Sequence, residues 1–125
     1  MSAEGGESGK ASLPYDLRAL AEVVQGFMDE RQWGRYHTPK NVAAALAVEA
    51  AELQEIFLWR EPDDPCDDKR AEIEAEAADV LLCLLNFCNR SGIDLGPALL
   101  RKLDAAALKY PVDKVKGRRE KYDEY

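Results

Sequence analysis

Apolar residues recur every three or four positions along four separate stretches of this chain, and no stretch alternates apolar and polar residues as a strand does. Spacing of this kind predicts amphipathic helices. Capping residues and stop signals give the four helices approximate bounds of 16–32, 38–59, 67–89 and 94–109. Because the connections between them are short, the sequence predicts an all-α fold of the four-helix-bundle type.

The chain divides by composition into one domain and two tails. At 125 residues it has about the length of a single domain. Residues 1–13 are rich in Gly, Ser and Glu and predict a flexible N-terminal tail. We expect residues 14–111 to form the helical domain and residues 112–125 to form a charged C-terminal tail.

Charge and hydropathy exclude several classes of protein. The 17 basic and 24 acidic residues give a net charge of −7, and a duplex nucleic acid needs a basic surface instead. Apolar runs such as 80–85 are far shorter than the ~20 residues that span a bilayer, and the first residues do not resemble a signal peptide. Cys66, Cys83 and Cys88 are an odd number without metal-ligand spacing, so we expect reduced thiols and a cytoplasmic protein.

The second and third helices each place acidic residues where apolar ones are expected. Projected at about 100° per residue, Glu49 falls inside the apolar face of the second helix and Glu52 lies at its edge. Glu76 falls inside the apolar face of the third helix, and Asp79 lies at its border. Both helices therefore carry a pair of acids with the same offset.

Such a set of acids is costly unless cations lie among them, because buried carboxylates are poorly solvated and repel one another. No Lys or Arg occupies a matching position on either helical face. Oxygen ligands favour Mg²⁺, with Mn²⁺ as a second possibility. His37 is the one histidine and lies in a loop, which disfavours iron and zinc. Either pair alone would also suit a solvated helix edge, and it is the repetition in adjacent helices that favours a metal site.

These residues carry a resemblance to a known family. The segment from Asn41 through Glu49, Glu52 and Trp59, then Glu76-Ala-Ala-Asp79, then Lys109-Tyr110-Pro111 resembles the MazG-like, all-α nucleoside triphosphate pyrophosphohydrolases. The stretch His37-Thr-Pro-Lys-Asn41 followed by Trp59 most resembles the dCTP pyrophosphatase branch. The resemblance extends from about residue 17 to residue 122.

The resemblance implies an enzyme that cuts a nucleoside triphosphate between its α and β phosphates, with dCTP or a modified dCTP as substrate. Carried over by position, Glu49, Glu52, Glu76 and Asp79 would hold Mg²⁺, and Glu49 or Glu52 would take the proton of the attacking water. The implied substrate-binding residues are Trp33, His37, Lys40, Asn41, Trp59, Lys109 and Tyr110. For the two tryptophans, a role as core anchors at helix ends is an open alternative, and for His37 the alternative is a histidine on the surface of a loop.

Two positions differ from the family pattern. Cys83 stands where relatives often carry an aromatic residue, and Ala106 stands where they usually carry Asn. Both differences concern the choice of base and leave the metal site unchanged. They also keep open a second interpretation, a catalytically idle helical module that senses nucleotides or binds a partner. In either case the resemblance implies a homo-oligomer, a dimer or a tetramer, with no nucleic acid polymer and no membrane as partner.

Overall fold

The computed structural model describes residues 15–119, and every regular element within them is a helix. Their bounds are Leu17–Glu30 (α1), Pro39–Ile56 (α2), Arg70–Ser91 (α3), Leu95–Lys109 (α4) and Val112–Val115 (α5), with a 3₁₀ turn at Asp67–Lys69 before α3. The all-α prediction is confirmed. The predicted N-terminal tail at 1–13 lies outside the described residues, as do the last six residues of the predicted C-terminal tail, and α5 forms at the beginning of that tail.

The first two helices begin where their capping residues place them, whereas α3 begins at Arg70, after the 3₁₀ turn that occupies its predicted start at residue 67, and ends at Ser91, two residues beyond the predicted end. The Asp16 carboxylate accepts a hydrogen bond from the backbone N–H of Ala19 at 2.8 Å and caps α1. The Thr38 hydroxyl accepts from the backbone N–H of Asn41 at 3.3 Å and caps α2, whose first residue is a proline. Each cap satisfies a backbone donor that the first turn of a helix leaves unpaired. At the other end of α3, Gly92 adopts a left-handed conformation with φ of 68°.

Two helices end earlier than their periodicity suggests. α1 stops at Glu30, two residues before the expected end, and α2 stops at Ile56, three residues before Trp59. Gln32 has a φ of 54° and Trp59 a φ of 66°, which are left-handed values that a right-handed helix does not contain. Neither end is marked by Gly or Pro, so the pattern of apolar residues alone predicts a helix that is too long at each of these two ends.

Residues 15–93 form one compact unit. In it α2 and α3 pack along each other and α1 packs on α3. Its buried apolar side chains are Met28, Val42, Cys66, Leu85 and Cys88. The amide of Asn89 on α3 donates to the backbone oxygen of Ala21 on α1 at 2.8 Å, which fixes the two helices against each other.

The connection between α2 and α3 is held by an arginine. The Arg60 guanidinium binds both carboxylate oxygens of Asp68, at 3.0 and 2.9 Å, and also Asp64 at 3.2 Å. Between these acids the Cys66 side chain is fully buried, and its backbone N–H donates to the Asp64 carboxylate at 2.8 Å. We call these four residues the Arg60 clasp. It gives the connection a fixed path from one helix to the next.

Residues 94–119 form the described part of a second compact unit, made of α4 and α5. α4 has Asp94 as its N-cap residue, as expected, and ends before the Tyr110-Pro111 pair. Four of its large apolar side chains are exposed, among them Leu100, 63% accessible, and Leu108, 86% accessible. In the described part of the chain, no helix is long and apolar enough to cross a membrane.

Candidate functional site

Three of the four predicted acidic ligands lie together. One carboxylate oxygen each from Glu49 on α2 and from Glu76 and Asp79 on α3 lie within 4.8 Å of one another. All three side chains are half-buried, whereas Glu52 is exposed. Because Glu49 and Glu52 are three residues apart, they lie on one face of α2, and the same spacing joins Glu76 and Asp79 on α3. The packing of α2 on α3 therefore brings the two pairs to one place.

The electrostatics of this acidic cluster shift two protonation equilibria. The pKa of Glu49 is raised from 4.5 to about 7, first because its carboxyl can share a proton with Glu52 through a hydrogen bond, and then because of burial. The negative charges of Glu52, Asp79 and Glu76 raise it further. The pKa of Glu76 is raised as well, with burial as the largest cause and the charge of Glu52 next. These shifts locate Glu52 beside the other three carboxylates, although it is the most exposed of the four.

The donor set fits a hard cation. Oε2 of Glu49 and Oε2 of Glu76 are both buried, and neither has a hydrogen-bond partner within the described residues. An unpaired buried carboxylate oxygen is costly, and a divalent ion would satisfy both oxygens at once. Basic residues near these helices pair elsewhere: Lys69 binds Glu72 at 3.4 Å, and Arg70 binds Glu74 at 2.9 Å. An all-oxygen set of this kind suits Mg²⁺ or Mn²⁺ better than a softer metal.

Cys83 lies one helical turn beyond Asp79 on α3 and is half-buried. The pKa of its thiol is raised, mainly by burial and then by the charges of Glu49 and Asp79. The small side chain therefore adjoins the acidic cluster. Cys66, Cys83 and Cys88 are all free thiols.

The loop between α1 and α2 brings two predicted substrate-binding residues into contact. The rings of Trp33 and His37 are tilted toward each other with centroids 5.7 Å apart, and Trp33 also meets Phe27 edge-on at 6.1 Å. Trp33 is 41% exposed, so it packs against neighbours on one side and faces solvent on the other.

The remaining predicted substrate-binding residues differ in exposure and contacts within their own units. Trp59 is 93% exposed directly after α2, which is the opposite of a core anchor within its unit. Lys40 is exposed in the first turn of α2. Asn41 uses its amide to bind the backbone oxygen of Tyr36 at 3.0 Å, so it shapes the loop. Lys109 and Tyr110 belong to the second unit and end α4 there.

Two residues that sequence reasoning did not select hold the loop from α3. The Asn86 amide nitrogen lies 3.1 Å from Nδ1 of His37. The Arg90 guanidinium donates to the backbone oxygens of His37 at 2.9 Å and Gly34 at 3.1 Å. One signal could have indicated Asn86, since it is a polar residue directly after the apolar run 80–85.

Comparison with known protein families gives a match to the MazG-like family over residues 44–125. Among curated proteins, the chain is 32% identical to dCTP pyrophosphatase 1 of Bos taurus over 128 residues, which cover 94% of this chain and 76% of that protein. It is 34% identical to dCTP pyrophosphatase 1 of Homo sapiens over 113 residues, covering 86% of this chain and 66% of that protein.

A solved structure is also similar. A pyrophosphatase from Archaeoglobus fulgidus DSM 4304 superposes with a TM-score of 0.73 and 37% sequence identity, covering 78% of this chain and 94% of that one. The similarity in three dimensions therefore accompanies a similarity in sequence well above the level at which fold alone is shared.

Proposed function

Because the chain belongs to the MazG-like family and is a nucleoside triphosphate pyrophosphatase, we propose that it hydrolyses dCTP, or a dCTP modified on its base, with Mg²⁺ as cofactor. The products are the nucleoside monophosphate and pyrophosphate, which removes the nucleotide from the pool available for synthesis. The observation that carries the proposal is the acidic cluster, with its two buried unpaired oxygens, in a chain similar to dCTP pyrophosphatases along most of its length.

Glu49, Glu76 and Asp79 are the proposed metal ligands, and Glu52 completes the set from the solvent side. When bound, Mg²⁺ would neutralise charge on the phosphate oxygens and lower the pKa of a bound water. Mn²⁺, which also takes oxygen ligands, is the expected substitute.

The proton of the attacking water needs an acceptor among the protein's carboxylates. Glu52 is our first candidate, because it is exposed and lies beside Glu49 without belonging to the set of three converging oxygens. Glu49 is the second. The water oxygen bonds to the α phosphorus while the bond from that phosphorus to the oxygen bridging the α and β phosphates breaks. The bridging oxygen leaves with pyrophosphate.

Recognition of the nucleotide is proposed for the seven residues that the resemblance implies. Trp33 and His37 would contact the base, since their rings adjoin each other. Trp59 follows the opposite end of the 18-residue α2 and is free of core packing within its unit, so it would contact the base bound by a neighbouring subunit. Lys40, Asn41, Lys109 and Tyr110 are the proposed contacts to phosphates and sugar. A cation such as Lys109 forms charge-assisted hydrogen bonds with phosphate oxygens.

The test is pyrophosphate release from each of the four common dNTPs and from 5-substituted dCTP, with Mg²⁺, with Mn²⁺ and with EDTA. We expect the highest kcat/KM for a cytosine nucleotide and no release in EDTA. Equal turnover of all dNTPs would refute the dCTP assignment, and full turnover in EDTA would refute the metal assignment. Absence of release from every nucleotide would instead favour the idle binding module.

A homo-oligomer, dimer or tetramer, is proposed from the apolar surface of the first unit. α1 and α3 form a groove of about 180 Å³ whose lining is almost entirely apolar. Val23, Leu81 and Leu82 line it and are 55%, 38% and 37% exposed. Light scattering at micromolar concentration should give two or four times 14.0 kDa. An active monomer would contradict this proposal.

The proposed compartment is the cytoplasm. Three free thiols in one small chain suit a reducing environment, which is also where free nucleotides are found.

A further inference from the structure

Asn86 is a buried polar residue whose side chain contacts His37. It is 4% exposed on α3, and its Nδ2 lies 3.1 Å from Nδ1 of His37, a residue 49 positions away in the sequence. Its Oδ1 is buried and has no hydrogen-bond partner within the described residues. A buried amide with an unpaired oxygen is a cost that an apolar residue would avoid. Among the described contacts, the one with His37 is the interaction that offsets this cost.

The histidine is held independently of this contact. Arg90, one helical turn beyond Asn86, donates to the backbone oxygens of His37 and Gly34. A Cβ added to Gly34 would lie 3.4 Å from the Arg90 guanidinium, so arginine and loop are closely packed. The backbone of His37 is thus fixed by Arg90, and its ring is fixed by Asn86.

The orientation of the amide decides which ring nitrogen of His37 carries the proton. With Nδ2 toward the ring, Asn86 donates and Nδ1 must accept, which leaves one amide oxygen unpaired. The reversed amide would instead leave a buried NH₂ group without an acceptor, and unpaired buried N–H donors are rarer in proteins than unpaired oxygens. The orientation with Nδ2 toward the ring is therefore the favoured one. A neutral imidazole that accepts at Nδ1 carries its proton on Nε2.

We propose that Asn86 is a positioning residue that holds His37 as the Nε2–H tautomer, so that His37 presents a hydrogen-bond donor to an acceptor on the nucleotide base. The ring nitrogen and carbonyl oxygen of cytosine are acceptors of this kind. Asn86 lies seven residues after Asp79 on α3, about 10 Å along the helix axis, which suits a nucleotide with its phosphates at the acidic cluster and its base at the loop. The inference rests on the proposed function.

The chain offers a direct test, because His37 is its only histidine. In ¹⁵N-labelled protein at pH 8, where free imidazole is neutral, the ring nitrogen shifts report the tautomer of this one residue. We expect a single Nε2–H tautomer in the wild type and a mixture of both tautomers in Asn86→Leu. Asn89→Leu is the matched control: it removes an amide three residues away that binds α1, so it should lower the melting temperature and leave the tautomer unchanged.

Kinetics then tests the role in binding. Asn86→Leu should raise KM for dCTP about fivefold, the factor that a hydrogen bond of ordinary strength is worth, with a smaller change in kcat, and Asn89→Leu should keep the wild-type KM. An Nδ1–H tautomer in the wild type would overturn the proposal, as would an unchanged tautomer or an unchanged KM in Asn86→Leu. If the wild type hydrolysed no nucleotide, the proposed function would fail separately, because the tautomer measurement needs no substrate.

Discussion

Replacing Trp59 by alanine separates the two roles that a tryptophan after a helix can have, core anchor and base contact. Trp59 is 93% exposed within its unit, so less than a tenth of its surface is available to lose on truncation. A buried aromatic side chain removes about 150–250 Å² from water, and burial is worth about 25 cal/mol per Å². Full burial would therefore be worth at most about 6 kcal/mol, and a tenth of it about 0.6 kcal/mol. The free energy of unfolding should fall by less than this amount.

The expected effect on substrate binding is much larger. A base stacked on an aromatic ring is worth about 1–3 kcal/mol, which corresponds to a roughly 5- to 140-fold rise in KM. Stacking is equal in the ground state and the transition state, so kcat should change little. We expect the alanine variant to keep the left-handed φ of 66°, at about the same cost, because both residues carry a Cβ.

Steady-state pyrophosphate release from dCTP measures KM and kcat, and a thermal melt of the same samples measures stability. We expect a shift of at most about 5 °C in Tm together with the rise in KM, and Trp59→Phe should recover most of the affinity because phenylalanine also stacks. An unchanged KM accompanied by a drop of 10 °C or more would refute this reasoning. It would show that Trp59 is buried in the working assembly, as a core anchor between subunits.

Three further predictions concern charge. Glu52→Gln and Asp79→Asn should each abolish pyrophosphate release. The circular dichroism spectrum should match that of the metal-free wild type and the Tm should be equal or slightly higher, since each variant removes a charge from a repulsive cluster. Release at the wild-type rate in either variant would contradict the metal assignment. The metal-free protein should lose stability as the pH rises from about 4.5 through about 7. The reason is that the raised pKa values of Glu49 and Glu76 favour the folded state only while these groups are protonated. Mg²⁺ should restore the lost stability. Melting curves from pH 4.5 to 8 with EDTA or Mg²⁺ measure this, and two parallel profiles would be the contrary result. Lys109→Ala should lower kcat more than it raises KM, because a cation at the phosphates acts on charge that moves during cleavage; single-turnover kinetics with dCTP checks it, and a change in KM alone would assign Lys109 to ground-state binding.

Local signals were sufficient for the helices and for the position of the acids. Thr38 and Pro39 mark the beginning of α2, and a cap needs only residues that are neighbours in sequence. Likewise, the face of a helix on which Glu49 or Glu76 lies follows from 3.6 residues per turn. The convergence of these two faces follows because α2 and α3 are consecutive helices that pack on each other.

Features that depend on the path of a loop were not predictable in this way. The contact between Asn86 and His37 joins residues 49 positions apart, and it requires that Arg90 hold the loop against α3. The end of α2 has a similar origin, since Trp59 takes a left-handed conformation without the glycine that usually signals one. The parts that Lys40, Lys109 and Tyr110 play in binding stay predictions.

The Arg60 clasp has a consequence for which ions the protein can use. A connection of thirteen residues between α2 and α3 would ordinarily let the helices shift, but the clasp ties Arg60, near the beginning of the connection, to Asp68 in the 3₁₀ turn. We expect the carboxylates of the two helices to change their separation little when an ion binds. A cage that cannot expand selects by ionic radius: ligand distances of about 2.0–2.1 Å suit Mg²⁺, whereas Ca²⁺ requires about 2.3–2.6 Å and more ligands. We therefore expect Ca²⁺ to bind this site weakly. Arg60→Met, which removes the guanidinium of the clasp, should reduce the difference in affinity between Mg²⁺ and Ca²⁺.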